Sequence, residues 1–175
     1  MKSRVSVAGH AVHPMLIVFP LGLLATSVLW DVCALTTRES HWAMISFWTI
    51  VAGVAGALLA AVAGFIDWLG IPHGTRARTL GAYHMVINLC VVALFAISLV
   101  GRWLTPGGYE LAGAGWMSFG WIGVALAVVS SWLGGELVET LGISVHDGAN
   151  PDAPSSLADR PPRVGRSLPA HGTRP

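Results

Sequence analysis

Residues 43–66 read AMISFWTIVAGVAGALLAAVAGFI, and none of these side chains is charged. A transmembrane helix needs about 20 predominantly apolar residues to cross a hydrocarbon core roughly 30 Å thick. Small residues recur at four-residue spacing in this stretch, as in Gly56, Ala60 and Gly64. Such spacing lets helix backbones approach closely in lipid. The stretch therefore predicts a membrane-spanning helix that packs against other helices.

Three further apolar runs of comparable length occupy residues 15–35, 80–100 and 116–133. Transmembrane strands are excluded, because a spanning strand needs only about 10 residues and alternates apolar with polar side chains. The first run is also too long for the h-region of a cleaved signal peptide, which has about 7–15 residues. We therefore predict an all-α fold, a four-helix transmembrane bundle with spans at about 15–35, 43–66, 80–100 and 116–133.

The composition agrees with a protein surrounded by the lipid bilayer. Hydrophobic residues make up 54% and charged residues 11% of the 175 residues, against roughly 25% charged in soluble domains. The formal net charge of +1 argues against nucleic acid as a partner, because nucleic-acid binders carry a basic patch. Cys33 and Cys90 both lie in apolar runs, so neither a disulfide framework nor a cysteine metal site is expected.

The Lys and Arg residues predict the orientation, since cytoplasmic loops carry an excess of them. One side of the predicted membrane domain, residues 1–146, holds most of these residues, namely Lys2, Arg4, Arg76, Arg78 and four arginines of the tail. The opposite side holds only Arg38 and Arg102. Both termini are therefore expected in the cytoplasm. Residues 147–175 are rich in Pro, Ser and Asp, which predicts a disordered cytoplasmic tail.

Each predicted helix carries one metal-binding side chain at the cytoplasmic end of the bundle: His13, Asp67, His84 and Glu136. Ionisable residues in membrane segments are candidates for a functional site, and helical bundles build metal sites from facing helices. The four residues could hold a divalent metal. Alternatively, His13 and His84 could be the axial ligands of a haem b, and Asn88 would extend the same polar network.

Two other interpretations compete with a cofactor site. The polar side chains could form a structural hydrogen-bond network in a non-catalytic accessory subunit, or His84 and the carboxylates could line a proton or ion path. Asp31, near the opposite end, is expected to pair with Arg38 or Arg102. No phosphate-binding loop or nucleophile motif is present, so an enzyme is not expected. The sequence is also compatible with a redox or membrane-protein partner and with a homo-oligomer.

Several short segments together resemble a family of bacterial membrane proteins catalogued as domain of unknown function family 2231. They cover roughly residues 9–146 and include GHAVHP at 9–14, GFIDW at 64–68, His84 with Asn88, and GGELV at 134–138. The resemblance implies a four-span protein of the bacterial inner membrane without an assigned reaction. Some relatives are joined to iron–sulfur modules, which implies a redox role, whereas this chain has no such module.

Overall fold

The computed structural model describes residues 1–107 and 113–157. It contains four long helices: α1 (Val12–Thr37), α2 (Ser40–Leu69), α3 (Arg76–Leu104) and α4 (Ala114–Gly135). A π-helical turn, Glu136–Thr140, continues α4. All four helices are long and apolar enough to cross a membrane. The predicted fold class is therefore confirmed, and each predicted span lies inside one helix.

The helices pair as two antiparallel hairpins. α1 packs along α2, and α3 packs along α4, whereas α2 meets α3 and α1 meets α4 over shorter surfaces. α1 and α3 consequently lie diagonally opposite each other. Both of them begin at the end of the bundle where α2 and α4 finish, which we call the terminus-bearing end.

Short connections join α1 to α2 and α2 to α3. α1 ends at Arg38, whose φ of 60° puts it in the left-handed conformation, and its amide donates to the carbonyl of Ala34. Left-handed residues commonly end helices in this way. At the start of α3, the Thr75 hydroxyl accepts a hydrogen bond from the Arg78 amide, which is a typical N-cap.

The middle of the bundle is apolar. Leu24, Ile50, Val91 and Phe95 are buried and pack together. Large apolar side chains also cover the outside, and Leu59 and Val128 are each 66% exposed. An outer surface of this kind suits lipid rather than water.

The N-terminal segment and the described residues after α4 contact each other at one end of the bundle. Strands β1 (Ser6–Val7) and β2 (His10–Ala11) form an antiparallel hairpin ahead of α1. Its two-residue turn has positive φ at Ala8 and Gly9, as the right-handed twist of a hairpin favours. Residues 147–157 form turns without helix or strand. The disorder predicted for residues 158–175 lies outside the described residues.

Candidate functional site

His13, in the first turn of α1, contacts the backbone of α2. Its Nδ1 donates to the carbonyl oxygen of Ala60 over 2.9 Å. The imidazole lies against Gly64, where a Cβ atom would come within 2.8 Å of the ring. Glycine at this position therefore makes room for the half-buried imidazole between α1 and α2.

His84 contacts α4 in the corresponding manner. Its Nδ1 lies 2.9 Å from the carbonyl oxygen of Ser130 and 3.0 Å from the hydroxyl of the same residue. The ring lies beside Gly134, where a Cβ atom would come within 3.2 Å of Cε1. On its other side, Asn88 Nδ2 lies 3.1 Å from Nε2 of the imidazole.

These contacts determine which ring nitrogen carries the proton. A carbonyl oxygen can only accept a hydrogen bond, so Nδ1 of both His13 and His84 carries hydrogen. In the neutral rings Nε2 then keeps its lone pair, which in His84 accepts the Asn88 amide. A metal-binding imidazole commonly has this arrangement, with the second ring nitrogen donating to a carbonyl or carboxylate.

The two imidazoles belong to diagonally opposite helices at the same end of the bundle. His13 is the second residue of α1, and His84 is the ninth residue of α3. The structure therefore places the two predicted histidines toward the same end of the bundle, each fixed by the backbone of a different neighbouring helix.

Asp67 faces the N-terminal segment. Its carboxylate accepts hydrogen bonds from the Ser3 hydroxyl at 2.7 Å and 2.8 Å. The backbone amides of Arg4 and Val5 donate to Oδ1 over 2.7 Å and 3.1 Å. Three donors from one short segment thus occupy this buried carboxylate and hold residues 3–5 against the end of α2.

Glu136 faces Arg76. Arg76 Nη2 donates to its Oε1 over 2.7 Å, and the Thr140 hydroxyl donates to Oε2 over 2.9 Å. Within residues 1–107 and 113–157, no three or more His, Cys, Asp or Glu side chains lie together in a way that could hold a metal. The four predicted metal ligands are thus not gathered into one cluster, because both carboxylates have other partners.

A second polar group lies near the opposite end of the bundle. Arg102 donates through Nη1 and Nη2 to the two carboxylate oxygens of Asp31 over 2.8 Å and 2.6 Å. The side chains are 0% and 1% exposed. Of the two partners expected for Asp31, Arg102 is confirmed. Its guanidinium also donates to the hydroxyls of Ser46 and Ser98.

Four serines complete these groups and were not predicted from the sequence, namely Ser3, Ser46, Ser98 and Ser130. One signal was available for Ser98, which lies four residues before Arg102 and therefore shares its helix face. No local pattern indicated Ser130, because its contact with His84 depends on the packing of α3 against α4.

The membrane domain matches the profile of a family described as a predicted membrane protein, DUF2231, over residues 9–147. The chain belongs to the DUF2231 family. No curated protein and no solved structure matches it significantly. The region of this DUF2231 protein that fits the family profile includes both histidines, both buried carboxylates and Arg102, and leaves out the first eight residues, among them Ser3.

Proposed function

We propose that this DUF2231 protein holds a haem b between His13 and His84 and transfers electrons within the bacterial inner membrane. When bound, such a haem supplies one-electron redox chemistry through its iron. The protein would contribute the imidazoles of His13 and His84 and a lipid-embedded scaffold that fixes their positions.

The observation that carries the proposal is the hydrogen bonding of the two rings. Each imidazole gives its Nδ1 proton to a backbone carbonyl, of Ala60 or of Ser130. Helix backbones move little, so these bonds hold the rings in place and leave Nε2 as the basic nitrogen. A residue that serves only to fill space needs no such orientation.

The number of available ligands favours haem over a non-haem metal. A tetrahedral zinc site usually takes three or four protein ligands, whereas a haem needs at most two from the protein. Asp67 and Glu136 are held by Ser3, Arg4, Val5, Arg76 and Thr140. The His13 imidazole remains as a ligand, and so does that of His84 once its Nε2 exchanges the Asn88 contact for the iron; two are enough for haem. Asn88, which now contacts Nε2 of His84, would remain beside the bound group.

The distribution of basic residues supports an orientation with this end in the cytoplasm. Lys2, Arg4, Arg76 and Arg78 lie at the terminus-bearing end. At the opposite end, the charge of Arg102 is neutralised by Asp31, and Arg38 remains exposed. The bias toward the terminus-bearing end is the one that the positive-inside rule associates with the cytoplasm.

A structural accessory subunit is the second candidate. Among the described residues, every buried side-chain nitrogen and oxygen has a hydrogen-bond partner. A network without open positions can serve to specify how the helices pack. In this alternative the histidines only join the helices, no cofactor binds, and a partner membrane protein would give the subunit its role.

A proton or ion path receives less support. The buried side chains of Leu24, Ile50, Val91 and Phe95 pack between the histidines and the Asp31–Arg102 pair. This apolar layer separates the two polar regions and offers no groups to carry a proton or an ion.

The test is a spectroscopic and metal analysis of detergent-purified full-length protein from cells supplied with a haem precursor. Wild type is compared with His13→Ala and His84→Ala, and with His41→Ala as the matched control. His41 lies at the opposite end and is exposed. We expect stoichiometric iron and a haem Soret band in the wild type and the control, and loss of both in either site variant.

The other outcomes separate the alternatives. Zinc or manganese without a Soret band, lost in both site variants, would replace haem with a non-haem metal. Folded wild-type protein that contains neither would contradict a cofactor and favour the structural subunit. Iron retained in both site variants would place the cofactor elsewhere.

A further inference from the structure

The buried positions of α1 recur in α3 after a constant interval. His84 follows His13 by 71 positions, and the same interval relates each buried residue of α1 to a buried residue of α3. The pairs are Pro20 with Val91, Leu24 with Phe95, Ser27 with Ser98, and Asp31 with Arg102. This spacing of buried residues is common to packed helices, but α1 and α3 also share a histidine, a buried serine and a buried charged residue at equivalent positions.

A similar interval relates α2 to α4. Buried residues of α2 recur 70 positions later as buried residues of α4, as in Phe47 with Met117, Ile50 with Gly120, Gly53 with Gly123, and Ala60 with Ser130. The sequence itself repeats in part, because residues 53–57 read GVAGA and residues 123–127 read GVALA.

The contacts inside the two hairpins repeat as well. Both histidines donate Nδ1 to equivalent carbonyls and lie against equivalent glycines, Gly64 and Gly134. Another pair of glycines, nearer the middle of the bundle, repeats in the same way. A Cβ at Gly53 would meet Leu24 at 2.6 Å, and a Cβ at the equivalent Gly123 would meet Phe95, the equivalent of Leu24, at 2.8 Å.

A hydrogen bond between the two helices of each hairpin also repeats. The hydroxyl of Ser46 donates to the Ser27 carbonyl over 3.0 Å. The hydroxyl of Ser98 donates to the Trp116 carbonyl over 2.7 Å. Ser98 is the equivalent of Ser27, and Trp116 is the equivalent of Ser46, so the hydrogen bond joins the same two helix positions in both hairpins with donor and acceptor exchanged.

We propose that the bundle consists of two diverged copies of one helical hairpin, α1–α2 and α3–α4, related by a two-fold axis parallel to the helices. α1 and α3 run in the same direction and lie diagonally opposite each other, as this symmetry requires. Parallel repeats around an axis along the membrane normal are a known architecture of membrane proteins. The inference does not depend on any cofactor.

Asp31 and Arg102 have a special place in this arrangement. They occupy equivalent positions and contact each other, so the two-fold axis passes between them. Two copies of the first hairpin would bring two Asp31 carboxylates together, and two copies of the second would bring two Arg102 guanidiniums together. Buried like charges repel strongly. The pair therefore selects the association of unlike hairpins, and each hairpin presents a surface that fits the complementary hairpin of the same or another copy of the chain.

The first test exchanges the two charges in the full-length protein. Both positions should accept either charge, because each has a serine four residues earlier in its helix. Ser27 precedes position 31, and Ser98 precedes position 102. Asp31→Arg and Arg102→Asp alone should each lower Tm, and the double variant should regain more than half of the loss. If the single variants do not accumulate in cells, their Tm cannot be measured. Recovery of accumulation by the double variant then counts as the expected result. A double variant no more stable than the better single variant would overturn the equivalence.

The control for the exchange is the ion pair between Arg76 and Glu136, which the proposed axis does not relate. Its side chains are 58% and 21% exposed, so reversing Arg76 alone should leave Tm almost unchanged. A loss as large as that of Asp31→Arg would mean that charge reversal in general, and not the loss of a buried opposite charge, causes the effect.

The second test concerns the selection of unlike hairpins. Asp31→Arg chains and Arg102→Asp chains, carrying different tags, are produced together. Exchange of hairpins between them restores both opposite-charge contacts, so we expect the two tags to purify together as a dimer. Two differently tagged wild-type chains are the control and should give only background. Background recovery of the variant pair would overturn the selecting role of the charges.

Discussion

Buried charged residues in this protein are held by two kinds of partner. Asp67 is surrounded by hydrogen-bond donors of the N-terminal segment, whereas Asp31 is neutralised by the full positive charge of Arg102. The first arrangement attaches a surface segment to the bundle. The second joins two diagonal helices inside it, so losing a partner should have different consequences in the two places.

Removal of the Arg102 side chain should destabilise the protein strongly. Arg102→Ala leaves the buried Asp31 carboxylate without its counter-charge, and such a change costs about 3–5 kcal/mol. Unfolding in detergent should show this as a large decrease in stability. The control Arg38→Ala, at the exposed Arg38 of the same end, should change stability by less than about 0.5 kcal/mol. Equal effects of both variants would contradict the importance of the buried pair.

Neutralising Asp67 should release the N-terminal segment. Asp67→Asn replaces a charged acceptor of three donors by a weaker neutral one, and losing hydrogen bonds of this kind costs about 1–3 kcal/mol. Hydrogen exchange, followed by mass spectrometry, should become faster at residues 3–5, while the middle of α2 keeps its protection. The control is Asp152→Asn, since Asp152 is exposed. Unchanged exchange in the Asp67 variant would show that other contacts hold the segment.

Glycines determine how closely helices pack at the level of the elements. A Cβ atom at Gly101 in α3 would overlap the Trp116 indole of α4, whereas a Cβ atom at Gly22 in α1 would meet nothing within 4 Å. The first glycine is required by a rigid neighbour, and the second faces open space toward lipid. Both lie inside helices, so they form a matched pair.

Substitution of the two glycines should therefore have opposite results. Gly101→Ala forces the Trp116 ring or α4 to move, and overpacking of this kind costs about 1–3 kcal/mol. Gly22→Ala adds a methyl group without a clash and should leave stability unchanged or slightly higher. Thermal unfolding of the two variants in the same detergent measures the difference. A Gly101 variant as stable as the wild type would mean that the indole has room to shift.

Across the whole molecule, polar groups are concentrated at the two ends and an apolar layer lies between them. The terminus-bearing end holds the histidines, Asp67 and Glu136, and the opposite end holds the Asp31–Arg102 pair. This separation suits a cofactor site that is open toward one side of the membrane. For the proposed haem, the orientation of the protein would decide which compartment could exchange electrons with it.

The orientation can be read with alkaline phosphatase, which folds only outside the cytoplasm. A fusion after residue 39, in the connection between α1 and α2, should be active, and a fusion after residue 74, before α3, should be inactive. Fusions of a fluorescent protein at the same two positions are the control for expression and should give the reverse pattern. The opposite result at both positions would place the termini outside the cytoplasm and remove the support that Lys and Arg give to the proposal.

The four helices and their membrane character could be predicted from the sequence alone. Runs such as 43–66 have the length and apolar composition that a bilayer requires, and this requirement acts locally, without reference to the rest of the chain. The common depth of His13 and His84 also followed from the sequence, because helices of known length and alternating direction place their ends at two levels. The sequence also predicted that Asp31 pairs with an arginine, although it left two candidates, Arg38 and Arg102.

Only the tertiary structure decided which atoms meet. The carbonyls of Ala60 and Ser130 that orient the histidines, and the amides of Arg4 and Val5 that occupy Asp67, are backbone groups, and every residue type carries such groups. The choice between Arg38 and Arg102 likewise depended on which side chain points into the bundle. Hydrophobic length is a property of one segment, whereas these contacts depend on the rotation and separation of several packed helices, and no single stretch of sequence encodes those.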